Sequence, residues 1–150
     1  MYNFSLKVAK IFRPVLNQNW LISLAYWGLC AAYLQGGLNK LFDFSAAIAE
    51  MTHFGLAPAP FFAVIVIILE LGASILIIFG VLRWLGALAL AGFTFMATFI
   101  ALRFWEMPVG PERFAAANSF FEHLGLVGGF LLVIWYDLKS KLDNSTHDNK

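Results

Sequence analysis

Residues Phe61–Phe79 read FFAVIVIILELGASILIIF, with a single charge, Glu70, in an otherwise apolar run. As a helix this run rises about 28 Å at ~1.5 Å per residue, close to the ~30 Å hydrocarbon layer of a bilayer. Three further runs share its character, at 20–42, 84–102 and 115–136. One such run suits the core of a soluble protein. Four of them, filling over half the chain, leave too little polar surface to cover them. The expected fold class is all-α: an integral membrane four-helix bundle in a single domain spanning 1–150.

Composition agrees. Of the 150 residues 61% are hydrophobic and 13% charged, and the mean hydropathy is +0.76. Soluble domains lie near half apolar and about a quarter charged. The net charge of +1 supplies no basic field for nucleic acid. Cys30 is the one cysteine, which excludes an internal disulfide and a CxxC redox pair. Its neighbours Trp27, Gly28 and Leu29 lack the small residue that a lipoprotein cleavage site needs before the cysteine, so Cys30 reads as packing.

The connections are short. Ahead of the first run, 1–19 places Phe4, Val8, Ile11, Phe12 and Val15 at helical spacing opposite Asn3, Lys7, Lys10 and Asn17. That pattern predicts an amphipathic helix at the inner face of a membrane. Ser45–His53, followed by Gly55, Pro58 and Pro60, predicts a short surface helix with a glycine stop. The stretch after Asp137 is hydrophilic and is expected to be a mobile cytoplasmic tail.

Lysine and arginine set an orientation. Four crossings put Lys7, Lys10, Arg13, Arg83, Lys139 and Lys141 on one side and Lys40, Arg103 and Arg113 on the other. The positive-inside bias then predicts both termini in the cytoplasm.

Small and polar residues inside the runs suggest how the helices meet. Gly28, Ala32 and Gly36 recur four apart, as do Gly125 and Gly129. Such stripes predict close helix packing or a homodimer seam. Glu70 lies tenth in its run, roughly 13 Å deep at ~1.5 Å per residue. An ionised carboxylate there costs about 2.5–3.5 kcal/mol, so it must face protein or water and be paired or protonated. Glu122 and Asn118 share a face with Gly125 and are expected to point into the bundle. With that topology Gln35, Lys40, Glu70, Arg103, Asn118, Glu122 and His123 all fall between mid-membrane and the outer surface. Polar residues gathered in one half of a small bundle make a candidate site for a proton or a small ligand. His53 and His123 lack metal-ligand spacing, and no metal site is expected.

Gly36-Gly37 followed by Lys40, then Gly55 with its prolines, then Glu70-Leu71-Gly72 leading to Gly80 and Arg83, together resemble the DoxX family. Phe104-Trp105, and Asn118 with Gly128-Gly129, fit the same pattern, and the resemblance spans 20–136. Two departures touch the outer polar cluster. Arg103 stands where many relatives carry a histidine before the Phe-Trp pair, and the usual glycine–proline step is stretched to Gly55-Leu56-Ala57-Pro58. The resemblance implies a bacterial inner-membrane protein and a membrane subunit or accessory of a quinone-linked redox system. With no redox-cofactor motif of its own, the chain would offer a non-covalent quinone site, or an anchor for a soluble or membrane redox partner. The alternatives are a structural or assembly protein without a catalytic site, and a small proton-linked carrier. A carrier would ordinarily show repeats or broken helices, which the sequence lacks.

Overall fold

The structure, a computed structural model, describes residues 9–14 and 18–148. Five helices carry the fold: α1 (Asn19–Phe42), α2 (Phe44–His53), α3 (Ala59–Phe79), α4 (Arg83–Ala101) and α5 (Pro111–Asp148), with a 3-10 turn at Phe104–Glu106. Four of the helical segments, all but α2, are long and apolar enough to cross a membrane. The fold is an all-α membrane bundle. Of the expected N-terminal surface helix, 9–14 are helical, with Ile11 and Phe12 exposed. Residues 1–8 and 15–17, with Phe4, Lys7, Val8 and Val15, lie outside the described residues.

Local chemistry explains where the helices begin and end. Asp43 caps α2, its side chain accepting from the Ala46 N–H at 3.0 Å. Helix α3 carries Pro60 in its first turn, where the N–H that proline lacks has no helical partner to lose. It stops at Gly80, whose φ of 77° places it in the left-handed region that closes helices. Helix α4 starts without a side-chain cap of its own, and α5 supplies one. The Asp137 carboxylate accepts from the Trp84 N–H at 3.2 Å and from Lys141 Nζ at 2.9 Å. Arg83 completes this knot: Nε donates to the Ile77 carbonyl at 2.8 Å. Its guanidinium also lies 4.3 Å from the Tyr26 ring centre and 4.0 Å from Asp137. One end of α1, α3, α4 and α5 is thereby tied together.

Helix α5 does not end with its apolar run at Tyr136 but continues through the expected tail to Asp148. The tail contains neither glycine nor proline, and the Asp137–Lys141 pair has the i, i+4 order that supports a helix.

The helices pack in chain order, α1 on α3, α3 on α4 and α4 on α5, with α2 lying against α3. Tyr26, Cys30, Tyr33, Ala73, Ile77, Ala87, Leu90, Ala91 and Phe130 form the core. Helices α1 and α5 meet through side chains, the Tyr33 and Phe130 rings standing edge to face at 5.5 Å. Ile68, Phe79, Leu88 and Leu132 face outward, as lipid-facing residues must.

Of the expected glycines Gly129 lies close to a neighbouring helix, its Cβ position 3.3 Å from Leu29 Cδ1 on α1, but the tightest approaches are at two others. A Cβ on Gly37 would lie 2.7 Å from Leu71 Cδ2, and one on Gly86 would lie 2.7 Å from the Ala73 carbonyl oxygen. A Cβ on Gly28 or Gly125 would meet nothing within 4 Å. Aromatic volume sets the phase of α5: Phe120 and Phe130 are buried, which turns Gly125 outward, and Asn118 and Glu122 are exposed with it. The inward expectation for Glu122 and Asn118 is corrected accordingly.

Candidate functional site

Lys40 closes α1 at the end of the bundle opposite Arg83. Its Nζ lies 3.4 Å from Glu70 Oε2 on α3 and 3.6 Å from Glu50 Oε2 on α2. The Lys40 and Glu70 side chains are 14% and 8% exposed, the Glu50 side chain 43%. Glu70 is therefore a paired carboxylate, as its depth demands, and the partner is a lysine that turned inward instead of snorkelling to the headgroups. Gly36 lies against the pair: a Cβ there would stand 3.5 Å from Glu70 Oε2 and 3.6 Å from Lys40 Nζ, in ordinary van der Waals contact.

This pair borders a cavity of about 310 Å³ between α1 and α5, floored by α3 and α4. Tyr33, Lys40, Glu50, Glu70, Thr94 and His123 bring polar groups to its wall, and Phe54, Phe93, Ala97 and Leu126 supply apolar surface. Hydroxyl protons fix the roles of two of these groups. The Thr98 hydroxyl donates to the Thr94 carbonyl at 2.6 Å and also lies 3.1 Å from His123 Nδ1. A threonine has one proton to give, so His123 Nδ1 carries a hydrogen and donates to Thr98. In the neutral ring Nε2 is then left as an acceptor. By the same count Thr94 donates to the Leu90 carbonyl at 2.7 Å, so the Tyr33 hydroxyl donates to Thr94.

Of the seven sequence candidates, Lys40, Glu70 and His123 come together around this cavity. Arg103 does not: it is 56% exposed and pairs with Glu106 at 3.3 Å. Gln35, Asn118 and Glu122 are exposed on outer helix faces. Glu50, Tyr33, Thr94 and Thr98 belong to the site without having been among the candidates. Thr94 and Thr98, an i, i+4 pair of hydroxyls in an apolar run, were a legible signal, because such groups seek protein partners in a membrane. Tyr33 shares its spacing with Tyr26, Cys30 and Gly37, the buried face of α1. Glu50 had no sequence signal separating it from an ordinary surface carboxylate.

A family model, DoxX, matches residues 22–103. The chain belongs to the DoxX family. Within the matched segment of this DoxX protein lie Lys40, Glu50, Glu70, Thr94 and Thr98, whereas His123 and the α5 wall of the cavity lie beyond it. Searches of curated proteins and of solved structures found no match. The Arg83 knot also falls mostly inside the matched segment, with Asp137 supplied from outside it.

Proposed function

We propose that this DoxX protein is a multi-pass protein of the bacterial inner membrane with both termini in the cytoplasm. In this reading it is a membrane subunit or accessory of a quinone-linked redox system, working with a soluble or membrane redox partner. The observation that carries it is the cavity between α1 and α5, which sets ionisable groups against aromatic and aliphatic walls. That mixture suits a flat, apolar ring bearing two oxygens. A bound quinone supplies two-electron, two-proton redox chemistry. Lys40 is the donor for a carbonyl oxygen, and His123 Nε2 is the acceptor for a hydroxyl of the reduced ring. Phe93 and Leu126 supply apolar surface for the faces of the ring. Self-association belongs to the same proposal, and the outward Gly28 and Gly125, each with open space where a Cβ would stand, are where a second copy could approach.

A second reading has its own observation. Lys40 and Glu70 satisfy one another, and among the described residues no buried side-chain nitrogen or oxygen lacks a partner. A structural or assembly protein needs nothing more. Solvent extraction of the protein purified in a mild detergent separates the two. The redox reading expects quinone close to one per chain, and quinone no higher than in an unrelated membrane protein purified alongside favours the scaffold. Reporter fusions after Lys139 and after Pro60 test the orientation, with cytoplasmic activity expected for the first and periplasmic for the second.

A further inference from the structure

A second hollow adjoins the polar cavity. It measures about 240 Å³, lies between α3 and α4 beneath α2, and its wall is almost wholly apolar. Five residues belong to both hollows: Glu50, Phe54, Phe93, Ala97 and Ala101. Two of the five are alanines, so the partition between the hollows is thin on the α4 side. Ile65, Met96 and Ile100, on the far side, are exposed on the outer surface of the bundle. The groove thus opens toward hydrocarbon at one edge and abuts the charged cavity at the other.

We propose that this groove holds the hydrocarbon tail of the ligand whose polar head occupies the cavity, and that the ligand enters from the lipid rather than from water. The inference rests on the quinone reading and narrows it to quinones with an isoprenoid or alkyl tail. Adjacency is the first reason: head and tail of one amphiphile need a polar and an apolar compartment that meet, and these two hollows meet at five common lining residues, with only the small side chains of Ala97 and Ala101 between them on the α4 side. Placement is the second. A phospholipid keeps its head at the membrane surface, whereas the inner end of this groove leads to the buried Lys40–Glu70 pair beneath α2. Glu50 stands at the junction, bordering both hollows as well as the open water-facing recess beside Lys40. It marks the point at which the head leaves the apolar compartment. Leaving lipid gives the tail no hydrophobic free energy, because hydrocarbon is as apolar as the groove; what the tail adds is packing contact with the groove walls and a fixed direction for the head.

The test uses the full chain in phospholipid nanodiscs and two ligands with the same benzoquinone head, one tail-less and one with a decyl tail. Ile65→Trp fills the groove, Met96→Trp does so from the opposite helix, and Leu132→Trp adds the same bulk to an unrelated lipid-facing surface. Either groove variant is expected to weaken decyl-quinone binding about tenfold and leave tail-less binding unchanged, with Leu132→Trp altering neither. Should both groove variants bind the decyl ligand as wild type does, the tail site is overturned while the head site stands. Equal weakening of both ligands overturns it as well, since the groove would then not be a separate compartment. Wild type that binds neither ligand removes the head site, and this inference with it. Melting of each variant is recorded first, and the groove variant that melts as wild type does carries the comparison.

Discussion

Lys40 and Glu70 sit thirty residues apart in sequence, yet the lysine nitrogen lies within 3.5 Å of both oxygens of the glutamate. The contact joins α1 to α3 where each is buried, and a charge taken out of water there is tolerable only with its partner in place. The two partners are unequal. Lys40 has Glu50 as a second carboxylate, whereas the only partner described for the Glu70 carboxylate is Lys40.

That inequality predicts an order. Lys40→Met strands Glu70 and should destabilise the bundle by about 3–5 kcal/mol, while Glu70→Gln leaves Lys40 with Glu50 and should cost less. The double variant Lys40→Met/Glu70→Leu, with neither charge, should recover most of the loss. Melting of the four proteins in one detergent checks it. A double variant less stable than Lys40→Met alone would mean that the pair is not coupled as drawn.

Glycine positions give a second prediction. Gly86→Ala drives a methyl to within 2.7 Å of a backbone carbonyl, which cannot swing aside, so a loss of about 1–3 kcal/mol is expected. Gly125→Ala meets open space and gains about 0.5–1 kcal/mol of helix propensity. The bulkier Gly125→Leu should leave melting unchanged and act only on self-association, read by chemical cross-linking in membranes. Equal melting losses at 86 and 125 would contradict the packing described.

The hydroxyl chain predicts a tautomer. Neutral His123 should carry its proton on Nδ1, because Thr98 has already given its own to Thr94. Imidazole nitrogen chemical shifts in labelled protein report this directly. Thr98→Val should shift the ring toward the other tautomer while costing only about 1 kcal/mol of stability. A ring already protonated on Nε2 in the unmodified protein would show that the Thr98 contact runs the other way.

Periodicity and length made the spans legible, because an apolar run in a bilayer has few alternatives to a helix. Depth alone required a partner for Glu70. The identity of that partner was harder to read, since Lys40 has two carboxylates within reach only once α2 folds back over α3. The face of α5 was misjudged for a physical reason. Gly125 and Gly129 suggested a seam, yet Phe120 and Phe130 bury far more surface and fix the rotation of the helix. The same rotation carries Glu122 and Asn118 outward and brings His123, the next residue round, to the cavity. Asp137 looked like the first residue of a tail because sequence shows a polarity change there, and nothing in the chain announces that α4 lacks an N-terminal cap.

The central claim is that the cavity bordered by Lys40, Glu70 and His123 receives a quinone head, and the affinity of a tail-less quinone for the protein in nanodiscs tests it most directly. Wild type should bind saturably at one site per chain. His123→Leu, which removes the acceptor, and Ala97→Leu, which fills the cavity, should each weaken binding about tenfold or more, with His123→Leu costing no more stability than the ~1 kcal/mol expected of Thr98→Val. Absence of saturable binding to wild type, or binding by both variants as tight as wild type, would contradict the account and leave the bundle as a scaffold.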